Sequence, residues 1–282
     1  MQLPYEEARG AAAAARREAV LAHNARAWDR LAADGAALAR PAADEAFGDP
    51  RGWLGGGGPE GRRPWLPPSL TGLEVLCLAA GGGKHGPLYA AAGARVTVLD
   101  LSGLMLDLDR QVARERGIDL DIVQGSMDHL DMFEPARFDL VVHPVSTCYV
   151  ADVEPVFRSV ARVTRARGIY VSQHKSPASL QGSLERNAAG RYELVHDLAR
   201  REPLPPEPPS RLREAGTQEF IHSLTALLGG ICRAGFVIED VHEPEHADPA
   251  ASPGSFAHRA GTLPPYLRIL ARRQGAATVF VP

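Results

Sequence analysis

The stretch that most constrains this chain is Leu73–Ser102, which reads LEVLCLAAGGGKHGPLYAAAGARVTVLDLS. Its first apolar run, Val75–Ala79, has the length of a buried strand. The run breaks into Gly81-Gly82-Gly83 and then Lys84-His85-Gly86. A small-residue, helix-prone segment follows to Ala92, Gly93 closes it, and Val96–Leu99 is a β-branched run ending in Asp100. The pattern predicts a strand, a glycine turn, a helix and a second strand with a carboxylate at its end. Glycines let the backbone turn sharply and approach a ligand. The helix start presents unpaired N–H groups to whatever sits in the turn. Asp100 falls at the carboxyl edge of its strand, where open parallel sheets bind ligands, and a carboxylate there can accept from both hydroxyls of a ribose. A nucleotide-type site is therefore expected. Gly81-x-Gly83-x-x-Gly86 matches the dinucleotide fingerprint, which leaves NAD(P) and S-adenosylmethionine (SAM) both open.

The downstream pattern extends the same theme. Leu104–Arg116 fits a helix with Ser102 as its N-cap, and Asp119–Val123 a third strand that ends in Gly125-Ser126-Met127-Asp128. Phe138–Val142 reads as a fourth strand, followed by His143-Pro144-Val145-Ser146-Thr147-Cys148-Tyr149. Val153–Thr164 reads as a helix and Gly168–Ser172 as a fifth strand. Strands alternating with helices at this interval imply a parallel sheet. Residues 175–216, with the run PLPPEPPS, read as a proline-stiffened lid insertion beyond the fifth strand. A helix is expected over Gln218–Ala234 with Leu224, Leu227, Leu228 and Ile231 on one side. Strands at Phe236–Val241 and Tyr266–Ala271 follow with no helix between them, so the last enters antiparallel. The expected architecture is a three-layer, Rossmann-like, seven-stranded and mostly parallel α/β sheet.

Ahead of it, residues 5–39 are Ala-rich with Arg and Glu and hold no proline, which reads as one or two helices with Asn24 and Trp28 on one face. Residues 41–69 are rich in Gly and Pro, with Gly55–Gly58 expected to be flexible and Trp53 and Trp65 to anchor the run. The organisation expected is thus an N-terminal helical arm and linker over 1–69 and a ligand-binding domain over 70–282. The 282 residues carry a net charge of −3, which argues against a polyanion binder. Cys77, Cys148 and Cys232 have no metal or disulfide spacing, and Cys77 and Cys232 sit in apolar runs that suggest buried thiols. No apolar run approaches 18 residues and no signal-peptide pattern opens the chain, so a cytoplasmic protein without membrane contact is expected.

The order of motifs resembles the class I, seven-stranded SAM-dependent methyltransferases, and within them a bacterial subgroup with a Gly-Gly-Gly first motif and a His-Pro-Val-Ser fourth-strand motif. The resemblance runs over Leu70–Arg272: the glycine stretch, then DIVQGSMDHLDMF, then RFDLVVHPVSTCYVADVEPVFRSVARV, then FIHSLTALLGGICRAGFVIEDVHE. HNARAWDRLA before the core resembles that subgroup's opening. The resemblance implies SAM as cofactor, S-adenosylhomocysteine (SAH) as product and methyl transfer by in-line displacement to a small-molecule acceptor, with natural products as one class. It implies that Ala80, Gly81, Gly82 and Gly83, with Ala79 before them, pass under the methionine part. Asp100 would hold the ribose, with Ser102 and Met105 beside it, while Leu101 and Met127 would flank the adenine. His143, Pro144 and Val145 would line the cleft near the sulfonium. This chain has Cys77 where the family has an acid, Ala79 where it has glycine, and Gly125-Ser126 where it has Gly-Asp, so Asp128 is the substitute for the adenine-binding acid.

Methyl transfer asks the protein to position the nucleophile, exclude water and accept a proton. His143 is the first candidate base, at the end of the fourth strand, with a role in shaping the turn before Pro144 as its structural alternative. His174 at the end of the fifth strand and His222 after the proline-rich segment follow, and Tyr149 is a candidate acceptor contact. No metal site is expected, no nucleic-acid partner, and a monomer or homodimer. Two rival readings stand: an NAD(P)-dependent oxidoreductase, on the glycine fingerprint, and a non-catalytic SAM-binding module, on the altered motifs.

Overall fold

A computed structural model describes residues 3–55, 64–208 and 210–275. The elements are α1 (Leu3–Ala33), α2 (Pro50–Trp53), β1 (Glu74–Leu78), α3 (His85–Ala91), β2 (Arg95–Asp100), α4 (Gly103–Arg116), β3 (Asp121–Gln124) and β4 (Phe138–His143). They continue with α5 (Glu154–Val163), β5 (Thr164–Lys175), α6 (Pro177–Gln181), α7 (Gly230–Arg233), β6 (Phe236–His242), α8 (Phe256–Ala260) and β7 (Tyr266–Arg273). The seven strands form one sheet in the order β3-β2-β1-β4-β5-β7-β6. Pairing is parallel from β3 through β5, and β7 runs antiparallel to both β5 and β6. This is the mostly parallel Rossmann-like sheet expected from the sequence. The strand order reverses between β1 and β4, and that reversal opens a crevice at their carboxyl ends.

Both faces of the sheet are covered, which is why β1 and β4 carry consecutive apolar residues, Val75–Leu78 and Leu140–Val142, rather than alternating ones. On one face Leu76, Leu78, Val141 and Tyr170 pack against Val156, Phe157 and Val160 of α5 and Ile231 of α7. On the other, Val75, Cys77, Val98 and Leu140 pack against Tyr89, Leu106, Trp65 and Leu70. A third cluster, of Cys148, Tyr149, Leu180, Leu204 and Ile221, lies beyond the carboxyl edge, with Trp28 and Val145 against it.

Several local expectations are corrected. The arm is a single helix, α1, followed by a 3-10 turn at Ala37–Ala39. Helix Gln218–Ala234 is replaced by an extended segment to Ser223, a π-helical turn at Thr225–Gly229 and the short α7. The reason is pairing: Phe220 N–H donates to Cys148 O, Leu204 N–H to Glu219 O and Gln218 N–H to Asn24 Oδ1, which occupies backbone a helix would need. Leu227 and Ile231 are buried, but Leu224 is exposed on the other side. A five-residue α8 does precede β7, too short to carry the chain across the sheet. Cys232 is exposed. Trp65 is buried, with its indole N–H donating to Asp240, whereas Trp53 is 60% exposed and anchors little. The expected flexible glycines at 56–58 lie outside the described residues.

Candidate functional site

The glycine turn is built as its composition requires. Gly82 and Gly83 have φ of 110° and 70°, which side-chain-bearing residues rarely adopt. A Cβ on Gly81 would fall 2.9 Å from the Met105 Cβ, so the close approach of the turn to α4 depends on glycine there. Asp100 ends β2 against this turn. Its Oδ2 accepts from Gly81 N–H at 2.9 Å and its Oδ1 from Ser102 N–H at 3.0 Å. Burial pushes its pKa up, against the pull of those backbone donors. Each oxygen keeps a further lone pair, and the carboxylate lines the cavity, so its donor chemistry fits a ribose. Ser102 caps α4 by accepting from Met105 N–H, as expected. Beneath the turn lies a second acid, Asp109 of α4. It is fully buried, accepts from Gly82 N–H at 2.8 Å, and its Oδ1 has no hydrogen-bond partner among the described residues. Burial pushes its pKa up to about 7.

Above the crevice is a cavity of about 360 Å³. Its floor is the ends of β1 to β3, through Ala79, Ala80, Gly81, Asp100, Leu101, Met105, Ser126 and Met127. Its far half lies at the ends of β4, β5 and β7, through Pro144, Val145, Tyr149, Val150, Gln173 and Tyr266. Helix α1 roofs it with Leu21, Asn24 and Trp28. Thus Ala79, Ala80, Gly81, Asp100, Leu101, Met105, Ser126, Met127, Pro144, Val145 and Tyr149 meet in one space. Gly82, Gly83, Ser102 and Asp128 stand behind that wall.

Asp128 is engaged elsewhere. Arg17 of α1 grips its two oxygens at 2.6 Å each, and Ser126 Oγ donates to it at 2.5 Å. Burial would raise its pKa, but the Arg17 and Ser126 hydrogen bonds outweigh that and lower it. Two more contacts seat the roof. Asp29 Oδ1 accepts from Ser102 Oγ and Leu104 N–H, at 2.5 and 3.2 Å. Asn24, 1% exposed, donates to Tyr149 O and Gln218 O and accepts from Gln218 N–H.

None of the three candidate histidines lines the cavity. His143 is 1% exposed. Tyr170 OH donates to its Nδ1 at 2.8 Å, its Nε2–H donates to Ser146 Oγ at 2.6 Å, and Ser146 Oγ donates on to Pro144 O at 3.1 Å. Burial holds its pKa down at about 3. In this arrangement a neutral imidazole braces the turn Pro144–Ser146, which itself meets the cavity. His174 is buried between Thr147 Oγ1 and Ser172 Oγ, at 2.8 Å from each, and burial puts its pKa well below the ordinary value. His222 Nε2–H donates to Thr147 O and Val150 O, both at 3.0 Å, and burial lowers its pKa too. All three hold the 3-10 turn at Thr147–Tyr149 and its approach.

Five further polar residues reach the cavity that motif reasoning gave no role: Lys84, His85, Gln173, Glu214 and His246. His85 is half-buried at the start of α3, and desolvation and the Lys84 charge lower its pKa to about 4. Glu214 belongs to a buried charged cluster. Its Oε2 accepts from Tyr149 OH and from Lys175 Nζ, each at 2.6 Å. Lys175 also donates to Leu212 O at 2.8 Å and to Glu219 Oε2 at 2.9 Å, and Arg213 Nε lies 3.1 Å from Glu219 Oε1. Burial alone would lower the Lys175 pKa; its acidic neighbours raise it above the ordinary value.

The comparisons agree with this picture. Residues 76–172 match a protein-family profile described as a methyltransferase domain, Methyltransf_11. The chain is 36% identical over 234 residues to "Uncharacterized methyltransferase YbaJ" of Bacillus subtilis, covering 80% of this chain and 91% of that protein. Among solved structures, an S-adenosylmethionine dependent methyltransferase from Mesorhizobium loti superposes with a TM-score of 0.58 at 24% identity, over 74% of this chain and 94% of that one. A putative S-adenosylmethionine dependent methyltransferase from Listeria monocytogenes superposes with a TM-score of 0.57 at 21% identity, over 75% of this chain and 94% of that one. These two likenesses speak for the fold.

Proposed function

The chain belongs to the class I SAM-dependent methyltransferases, and from that premise we propose that it methylates a small-molecule acceptor held under α1. The observation that carries this reading is one continuous cavity under α1. It joins Asp100 and the glycine turn to an aromatic chamber of Trp28, Tyr149 and Tyr266. Its volume, about 360 Å³, falls in the range of small-molecule sites, roughly 300–1,000 Å³. The roof over it is held by Asn24, Asp29 and Arg17.

SAM supplies an activated methyl group on a sulfonium. The chain's residues bind and orient. Asp100 would take the ribose hydroxyls, the Ala79–Gly81 backbone the amino-acid end, and Leu101 and Met127 the adenine faces. Because Asp128 is already gripped by Arg17, it serves this site by seating the arm beside Ser126 and Met127. Pro144 and Val145, braced from behind by His143 and Ser146, shape the passage to the acceptor half. The roof would limit water at the reacting centre, which favours in-line displacement.

The test is calorimetric titration with SAH, with NADH as control. Micromolar SAH binding without NADH binding supports the reading. NADH binding with none for SAH refutes it in favour of the oxidoreductase alternative. A broad acceptor screen with SAM then follows, in which methyl transfer to no small molecule despite SAH binding refutes the small-molecule assignment.

A further inference from the structure

At the acceptor end of the cavity the group placed to handle a proton is a carboxylate. We propose that Glu214 receives the acceptor's proton, and that the acceptor is a small planar molecule of the phenol class presenting its hydroxyl to Glu214 Oε1. This rests on the reading of the cavity as a methyl-transfer site.

Four observations converge. Glu214 lines the cavity on the side of Tyr149, Gln173 and Tyr266, away from the glycine turn. Its Oε2 is taken by Tyr149 OH and Lys175 Nζ, while Oε1 makes no hydrogen bond among the described residues. The anchor is firm: Lys175 is tied to Leu212 O and Glu219, and Thr217 Oγ1 donates to Glu214 O at 3.0 Å. The walls around it are aromatic. Trp28 meets Tyr149 edge to face at 5.6 Å and Tyr266 meets His246 edge to face at 5.5 Å, and all four rings line the cavity, which suits an aromatic acceptor.

The other titratable groups facing the cavity are placed for different work. Asp100 and His85 stand at the cofactor end, and Lys84 Nζ donates to Ala37 O and Leu38 O. His246 is wedged between the Phe256 and Tyr266 rings, and burial and Arg211 lower its pKa. The charge pattern selects a hydroxyl over an amine. Lys175 and Arg213 balance Glu214 and Glu219, so no net negative charge attracts an ammonium, and Lys175 repels one directly at the same carboxylate. A neutral O–H donor suits one oxygen with an open lone pair.

The step balances. As the acceptor oxygen bonds to the methyl carbon, the sulfur–methyl bond breaks with its electron pair left on sulfur, and the hydroxyl proton passes to Glu214 Oε1. A carboxylate suffices as base because an oxygen that has gained a methyl group gives up its proton readily. The neutral carboxyl so formed returns the proton to solvent as products leave.

The experiment is absorbance titration of 4-nitrophenol bound to the SAH-loaded protein, which reads phenol against phenolate directly. Wild type is expected to bind the neutral phenol at least tenfold better than the phenolate, moving the bound midpoint up by about one pH unit. Glu214→Gln, which leaves Lys175 less compensated, is expected to bring the midpoint back to or below that of free probe while SAH affinity changes less than about threefold. An unchanged midpoint in Glu214→Gln, a wild-type preference for phenolate, or no probe binding to SAH-loaded protein overturns the proposal. If Glu214→Gln fails to fold, Glu214→Asp retracts the carboxylate but keeps the charge; a smaller midpoint shift supports the proposal and an unchanged one overturns it. Absence of SAH binding to wild type instead refutes the methyl-transfer reading itself, so the two failures are distinguishable.

Discussion

Asp109→Asn is expected to stabilise the protein at neutral pH, and the gain should shrink in acid. Asp109 is fully buried under the glycine turn, with one oxygen on Gly82 N–H and the other unpartnered. Burial puts its folded pKa at about 7. In the unfolded chain an aspartate titrates near 3.9, about 3 units lower, at roughly 1.4 kcal/mol per unit. The sign follows from proton counting. Between those two pKa values the folded state holds the proton more tightly, so stability falls as pH rises from about 4 and levels off above about 7. The total cost is about 4 kcal/mol at pH 8 and about 1.5 at pH 5. An asparagine amide is isosteric, keeps the acceptor for Gly82 N–H and does not ionise. Wild type alone does not isolate the effect, because half-buried His85 and buried His143 and His174 have lowered pKa values and cost stability as pH falls below about 6.5. The difference between the two proteins does. In urea unfolding at pH 5 and pH 8, the variant's advantage should grow by about 2–3 kcal/mol toward pH 8. An advantage independent of pH, or a variant less stable at pH 8, refutes the placement of a protonated Asp109 beneath the turn.

Asp100→Asn should weaken SAH at least tenfold by calorimetry, since hydrogen bonds to a charged acceptor contribute about 1.5–3 kcal/mol each; unchanged affinity sinks the ribose assignment. Arg17→Ala should cost only about 1 kcal/mol, because Arg17 is 44% exposed, yet speed limited proteolysis of α1 by cutting its grip on Asp128; unaltered cleavage would show that the arm is held elsewhere. His143→Ala should lower the melting temperature and SAH affinity together, because Tyr170 OH and Ser146 Oγ each lose one hydrogen bond, at about 1 kcal/mol each. Ring NMR of wild type should show no His143 titration between pH 5 and 8, and a midpoint in that window contradicts the buried, neutral imidazole.

The fold was legible because its signals are periodic. Apolar runs mark β1, β2 and β4, Ser102 and Gly117 bracket α4 as cap and left-handed stop, and the spacing of strands and helices implies the parallel order. One half of the cavity lining was legible too: the glycine turn and Asp100 follow from the pattern change at strand ends, and Leu101 and Met127 from the family resemblance. The other half of the lining rests on Glu214 and His246, in segments with no period, and on the roof residue Asn24, whose partner Gln218 is 194 positions away. Nothing in RLREAG distinguishes a carboxylate that meets Tyr149 and Lys175 from a solvated one.

The histidines show where residue type misleads and parity corrects. A histidine closing a parallel strand at the ligand edge invites a catalytic role, but the strand's two-residue alternation decides which way it points. Val141 lies two residues before His143 and packs among Phe157 and Tyr170, so His143 must face α5. Tyr170, Ser172 and His174 share a face on β5 by the same count, and the contacts His143–Tyr170 and His174–Ser172 result from it. With Val141 and Val142 equally apolar, the sequence holds no cue to which parity looks toward α5. The chain's next step, at Pro144 and Val145, leaves the strand and turns into the cavity. What His143 contributes there is a brace for that turn, through Ser146 Oγ to Pro144 O.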